Sequence, residues 1–416
     1  MTARDTPIVS IVLATHNRRD MLVRTLHRLE RLELPTGRRE IIVVDNDSTD
    51  GSAEAARVLA DCVVGLRRNR GSCAKAWGVD RASGRYILFL DDDSYPRPGS
   101  VERMIECFEQ DRQLAAAGFT VHLPDGRLEG GALPDVFVGC GVGFRAGALR
   151  QVGGLDRTFF MQAEEYDLWF RLVSAGWRVQ VFDELQVDHL KAPDARRTDR
   201  TTYLDIRNNL RLVGRYLPSA YAAIYREDWI QRYAWLAARE GHETAFSRGC
   251  RAGLWRARWE RLRFAGQRLS PSAFERCFRW AHVHGEMRSL ARQGIRQVVF
   301  AGLGKNVHAF YRAAHDAGVR VTAIADDHFA SSSRAYRGLP VVPMTRDVLD
   351  GADAVVVSDM APVFARCLTD RLRRITRRPV HAWFARTETT ESDGQRDAAR
   401  DAPDRTHELL ACPAGA

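Results

Sequence analysis

The residues best placed to do chemistry are Asp91, Asp92 and Asp93, which close the apolar run Tyr86-Ile87-Leu88-Phe89-Leu90. A buried strand ending in three adjacent carboxylates cannot bury them unpaired, because desolvating charge is costly. They must meet solvent or a cation. Asp91 and Asp93 share a face on an extended segment and could hold one hard divalent ion through oxygen, leaving positions open for phosphate oxygens. The alternative is an acidic turn capping the next helix, which Pro96, Pro98 and Ser100 open.

The elements that must position these acids are legible as alternating strands and helices. Ser10–Ala14, Glu40–Val44 and Cys62–Leu66 read as short buried strands, and Met21, Leu22, Thr25, Leu26 and Leu29 give a helical period after the first. Such alternation implies a mostly parallel sheet covered on both faces. Each strand exits into polar groups: Thr15-His16-Asn17-Arg18, Asp45-Asn46-Asp47, Arg67-Arg68-Asn69-Arg70, then the three aspartates. Open α/β sheets bind ligands outside the carboxyl ends of their strands, so these exits line one crevice.

Several blocks, in order, resemble the family 2 glycosyltransferases, which use the GT-A fold. SIVLATHNR (Ser10 to Arg18) resembles the first strand and nucleotide loop, VVDNDSTDGS (Val43 to Ser52) the second, and YILFLDDDS (Tyr86 to Ser94) the DXD block. Val152-Gly153-Gly154-Leu155-Asp156 and Glu164-Glu165-Tyr166-Asp167 are similar to the acceptor-side motifs. The resemblance covers about the first half of the chain. It implies a nucleotide-sugar donor, with Asp45 and Asp47 toward the base and ribose hydroxyls and Thr15, Asn17 and Arg18 on the facing loop. An Asx-turn accounts for the same Asp45–Gly51 stretch, and a turn can also present carboxylates. Mg²⁺ or Mn²⁺ on Asp91 and Asp93 would countercharge the pyrophosphate and act as a Lewis acid on the leaving group. The resemblance also implies that Glu165, where the family has an aspartate, is the base of an inverting transfer, with Asp167 in reserve. Helix-start electrostatics is the competing account of these acids. His189 is expected either to complete the metal site or to be an ordinary hydrogen-bonded histidine. Where the family shows an Arg-Asn pair before a glycine, this chain has Lys75-Ala76-Trp77-Gly78; Lys75 stands in for the arginine as a point charge without a planar fork.

The chain has 416 residues and a formal net charge of +9, so more than one domain is expected. Its eight cysteines form no C-x-x-C pair, which argues against a zinc ribbon or disulfide framework and suits a reducing cytosol. No signal peptide or membrane-spanning run is read. The expected organisation is a GT-A core over 1–195, a basic, aromatic-rich helical region over 196–293, a Rossmann-like α/β domain over 294–386 and a disordered tail over 387–416. In the helical region Trp255, Trp259 and Leu262 share a helical face, with Arg256 and Arg263 on one flank and Arg258 and Arg261 on the other. That is the pattern of a helix lying on an anionic membrane surface, and equally of a packed helix with solvated arginines. Nucleic acid is not expected, because no recognised module accompanies the charge.

After Gly294 a strand, the turn Gly302-Leu303-Gly304, a helix and Asp326 follow the order of a nucleotide-binding β-α-β unit. The third glycine of that fingerprint is missing. The unit resembles the small domains that precede sugar acyltransferases, and Gly302, Gly304 and Asp326 are its candidate ligand contacts; a ligand-free structural role is the alternative. The function expected is sugar transfer from a nucleotide-sugar to a glycan or lipid-linked acceptor, by a cytoplasmic protein in possible peripheral contact with the membrane. An NAD(P)-dependent oxidoreductase or a non-catalytic nucleotide-sugar sensor, acting through the C-terminal unit, is the other reading.

Overall fold

In the computed structural model, which describes residues 7–32, 39–191 and 198–385, nine strands form the first sheet. They are β1 (Val9–Thr15), β2 (Arg39–Asp45), β3 (Cys62–Gly65), β4 (Tyr86–Asp91), β5 (Ser94–Pro96), β6 (Leu114–His122), β7 (Leu128–Glu129), β8 (Gly141–Arg145) and β9 (Arg178–His189). Their order is β3-β2-β1-β4-β8-β6-β9-β5, with β7 on β6. The first four run parallel, β8 is antiparallel to both β4 and β6, and β9 returns parallel to β6. This is the α/β fold class expected, a mostly parallel sheet of GT-A type. In β1, Ile11, Val12 and Leu13 are fully buried, as a strand paired on both edges and covered on both faces requires. Leu22, Thr25, Leu26 and Leu29 supply the buried face of the Arg19–Glu30 helix. One expectation needs correction: β3 is only partly buried, because it is the edge strand with no partner beyond it.

Register fixes where the central strands stop. Thr15 lies opposite Asp45, and Ala14 opposite Asp91. β1, β2 and β4 therefore end at one edge of the sheet.

Five helices follow: Asp199–Tyr216, Ser219–Glu240, Glu243–Arg263, Pro271–Phe278 and Trp280–Arg292. The first and third pack closely because glycine lines the contact. A Cβ at Gly214 would lie 2.3 Å from the Ala257 carbonyl oxygen, and one at Gly249 would lie 2.5 Å from that of Tyr203. Close approach brings Arg211 and Arg215 onto Glu260, at 2.7 and 2.5 Å, with Glu260 wholly out of solvent. Tyr216, Tyr225, Trp229 and Tyr233 are core residues here, so much of the aromatic content is packing.

A smaller sheet completes the fold: β10 (Gln297–Ala301), β11 (Arg320–Ala325), β12 (Ala335–Tyr336), β13 (Leu339–Val342), β14 (Ala354–Val357) and β15 (Val380–His381). Its order is β12-β13-β11-β10-β14-β15, parallel except for the β12–β13 hairpin. The expected boundary between residues 195 and 196 and the tail 387–416 lie outside the described residues.

Removing one partner of a buried ion cluster leaves uncompensated charge, at a cost of about 3–5 kcal/mol. Glu260→Ala takes the close carboxylate from Arg211 and one of three from Arg215, which keeps Asp156 and Asp167, and should lower unfolding free energy by about that amount in urea titration. A change of a few tenths of that would mean the two arginines find water.

Candidate active site

At the end of β4 the chain turns, and the three aspartates separate. Asp92 and Asp93 are buried, whereas the Asp91 side chain keeps 37 % of its exposure. Arg18 resolves the charge problem: its guanidinium reaches Asp92 at 2.5 Å and Asp93 at 2.7 Å. Thr15 donates to Asp92 at 2.7 Å, and Thr25 donates to the Asp92 backbone carbonyl. Burial still pushes the Asp92 carboxyl up to about 7, against Arg18 and Thr15. Asp93 is buried too, yet hydrogen bonds and charge from His189 and Arg18 bring it down to about 2. Asp91 instead takes Lys75, whose buried ammonium lies 2.5 Å from Oδ1 and 2.8 Å from the Gly139 carbonyl oxygen.

The second group sits at the start of the Glu164–Ser174 helix. Glu164 is buried and accepts a hydrogen bond from the Ser72 hydroxyl. Glu165 is half-buried and lies over Gly139, where a Cβ would be 3.2 Å from Oε1. Burial, then the neighbouring Glu164, raises the Glu165 carboxyl well above the usual range, while Lys75 opposes the rise. Two desolvated carboxylates in adjacent positions titrate as a pair.

His189, at the end of β9, closes the far side. Its Nε2 is 3.2 Å from Asp93, and its Nδ1 faces Glu129 at 2.9 Å and Cys140 Sγ at 3.5 Å. Burial opposes a charge on the ring, but these hydrogen bonds raise its pKa far above that of an ordinary imidazole. Ligand atoms of Asp91, Cys140 and His189 lie within 4.8 Å of one another. The preassembled trio thus contains Cys140, and Asp93 joins it only through His189. Carboxylate oxygen and imidazole nitrogen fit a divalent cation such as Mn²⁺ better than one demanding oxygen alone. Burial raises the Cys140 thiol to about 11, so thiol and protonated imidazole alike must give up a proton before either can bind a cation.

The donor-side loops are also assembled. Asn17, at positive φ, accepts the Thr49 amide at 2.8 Å and so stitches the β1 loop to the β2 loop. Asp45 is buried with Oδ2 accepting the Ser48 amide, while its Oδ1 is buried without a hydrogen-bond partner. An orphaned acceptor at a strand tip suits a ligand N–H or O–H. Asp47 is exposed on the same turn with φ +68°. Asn46 ties this turn to the next wall, donating to Gly71 O and accepting the Arg70 amide.

Two sets of expected site residues do not belong here. Asp167 is completely buried on the other side of its helix, where Arg171, Arg215 and Tyr216 occupy both oxygens. It cannot reach an acceptor hydroxyl. Gly302, Gly304 and Asp326 form a loop, but the loop is closed. Asp326 accepts the amides of Leu303, His328 and Phe329, and a Cβ at Gly304 would lie 2.7 Å from Ser358 O. Leu303, Lys305 and Asn306 are buried against the rest of the protein. The Lys305 ammonium stands 4.8 Å from the Trp229 ring centre and 4.9 Å from that of Tyr166. Trp229 Nε1 donates to Lys305 O, and Asn306 Nδ2 donates to Ala132 O.

Ser72, Gly139, Cys140 and Glu129 were not anticipated. Ser72 sits in a short 3₁₀ helix (Gly71–Ala74) and Gly139 in a turn, and the partners of both are distant in sequence. Glu129 carried a weak signal, a lone acid in a Gly-rich stretch.

Set beside known proteins, residues 10–137 match the sequence model described as Glycosyl transferase family 2, and residues 119–264 that described as Glycosyl transferase family group 2. The mixed sheet with acids gathered at its strand tips is consistent with the GT-A fold of such transferases. Over residues 10–264 the chain is similar to the family 2 glycosyltransferases. A putative teichuronic acid biosynthesis glycosyltransferase of Bacillus subtilis is 29 % identical over 154 residues, 32 % of this chain and 60 % of that protein. A succinoglycan biosynthesis protein of Rhizobium meliloti is 34 % identical over 126 residues, 29 % of this chain and 36 % of that one. The chain thus spans less than two thirds of these relatives. An Escherichia coli UDP-Glc:alpha-D-GlcNAc-diphosphoundecaprenol beta-1,3-glucosyltransferase is 25 % identical over 181 residues, 41 % of this chain and 71 % of that one. A mannosyltransferase structure from Pyrobaculum calidifontis, in complex with GDP-Man and Mn²⁺, aligns with TM-score 0.42 and 16 % identity over 62 % of this chain and 87 % of that one.

Asp167→Ala removes the acceptor of the buried Tyr216 hydroxyl and the carboxylate partner of Arg171, while Arg215 keeps Glu260 and Asp156, so it should destabilise the fold by about 3–5 kcal/mol in urea titration. A variant as stable as the parent would place Asp167 outside the core network.

Proposed function

We propose that the protein is an inverting, metal-dependent glycosyltransferase that moves a sugar from a nucleotide-sugar to a hydroxyl of a glycan or lipid-linked acceptor. One observation carries this reading: acids from separate elements share a single cleft. Asn46 links the Asp45 turn to Gly71, the adjoining Ser72 holds Glu164, and Lys75 joins Asp91 to Gly139, over which Glu165 lies.

The roles follow from this placement. Asp45 offers its free oxygen to the base or ribose, with Asp47 and the Asn17 turn beside it. Asp91, Asp93 and His189 would hold Mg²⁺ or Mn²⁺, with Mn²⁺ better matched to the nitrogen donor. When bound, the cation supplies Lewis acidity to the departing diphosphate. Arg18 places a positive charge between Asp92 and Asp93, and Lys75 holds Asp91 in position. Glu165 accepts the acceptor hydroxyl's proton as that oxygen attacks the anomeric carbon from the face opposite the nucleotide. The raised Glu165 carboxyl suits a base working near neutrality. The E. coli relative's printed name, with a diphosphoundecaprenol acceptor, supports a lipid-linked acceptor and hence peripheral contact with the cytoplasmic face of the membrane. The closed Gly302 loop argues against the oxidoreductase and sensor readings.

Glu165→Gln should reduce kcat/KM by about 10²–10⁴ in a nucleotide-release assay while leaving the melting temperature nearly unchanged. The base acts only when ionised, so activity should rise with pH toward about 8. In Glu164→Gln the like charge is gone, and this acid limb should move to lower pH. A limb that stays in place would remove Glu165 from the role.

A panel of UDP-, dTDP- and GDP-sugars with Mn²⁺ should identify at least one donor that both raises the melting temperature and releases its diphosphate. Chelation should abolish release, and Mn²⁺ should restore it. Full activity in excess chelator would overturn the metal assignment.

A further inference from the structure

The Glu243–Arg263 helix has two faces of opposite character. Its inner face is made of Ala245, Gly249, Gly253, Ala257 and Glu260, seated on the Asp199–Tyr216 helix. Its outer face carries Arg248, Arg251, Trp255, Arg258, Trp259 and Leu262, all exposed. Trp255 keeps 65 % of its surface, Trp259 43 % and Leu262 82 %. Among the described residues Val58 is the other large hydrophobic left this open, and it stands alone on a distant helix, which is ordinary. Three such side chains at positions i, i+4 and i+7 of one helix are not ordinary.

The charge around them is of one sign. From Ala245 to Arg268 the sequence has seven arginines and a single acid, Glu260. That acid is withdrawn into the core by Arg211 and Arg215, so beyond the exposed Glu243 of its first turn the helix presents only positive charge. Arg256 stacks over Trp255 and Arg263 over Trp259. Guanidinium groups bordering exposed indole and leucine match a layer with phosphates outside and hydrocarbon beneath. A purely anionic partner such as nucleic acid would use the arginines but gains little from Leu262.

We propose that the outer face of the Glu243–Arg263 helix is a docking surface for an anionic lipid bilayer, with Trp255, Trp259 and Leu262 entering the interface and the arginines meeting lipid phosphates. The surface needs no donor, metal or acceptor to act. It goes beyond the transfer reaction, whose failure would leave it standing.

The full chain, without donor, is mixed with vesicles of phosphatidylcholine alone or with added phosphatidylglycerol, and binding is read by co-sedimentation and by the tryptophan emission maximum. The protein should bind the anionic vesicles with a blue shift, bind neutral ones weakly, and release as salt is raised. The triple variant W255S/W259S/L262S should bind about 10-fold or more weakly, with the parent's melting temperature to show that it folds. Each of R248Q, R251Q and R258Q should cost roughly 5-fold. Absence of binding to anionic vesicles by the parent overturns the proposal. So does undiminished binding by the triple variant. Retention by a single-stranded oligonucleotide in place of vesicles would assign the face to nucleic acid and equally overturn it.

Discussion

The structure turns on the cost of holding three adjacent carboxylates at the end of a buried strand. Asp92 and Asp93 have left solvent, and their charge is met by a single arginine from the β1 loop and a histidine from the end of β9. Asp91 is met by a lysine from a third element, the short helix that follows β3. Each cation comes from a different part of the chain, so the cluster forms only when the sheet is in register. The same pairings draw the β1 loop, the Lys75 helix and the end of β9 around one space. Countercharge and cleft are thus a single arrangement.

The strand ends were readable because apolar runs stop abruptly at polar groups, and a parallel sheet aligns such stops. Thr15, Asp45 and Asp91 needed no more than that. The facing of individual acids was not readable. Glu164, Glu165 and Asp167 are within one helical turn, and their directions differ by the phase of the helix. Asp167 belongs to the core because Arg215 and Tyr216, nearly fifty residues later, are waiting for it. Nothing local announces that partnership. The Asp93 pairing with Arg18 spans 75 residues, and a run of aspartates looks solvent-seeking until its arginine is found. The amphipathic face of the Glu243–Arg263 helix was readable, because helical spacing alone sorts its tryptophans from its glycines.

The C-terminal loop shows how local pattern can mislead. Strand, glycine turn, helix and following acid are all present in the expected order. Yet the acid binds the loop's own amides, and the turn is filled by neighbouring backbone. The missing third glycine was the one local sign; counted from Gly302 and Gly304 its place is taken by Val307, buried at the start of the following helix. The geometry that in other proteins cradles a phosphate here supports a lysine held among aromatic rings.

That lysine has a consequence for how the chain can be divided. Lys305 is gripped by Trp229 and Tyr233 from the Ser219–Glu240 helix and by Tyr166, next to Glu165. A cut at the start of the second sheet would tear its socket in half. Recombination between relatives that exchanges this sheet must bring the Ser219–Glu240 helix with it and must still meet an aromatic ring at Tyr166, because any junction between residues 166 and 305 divides the socket.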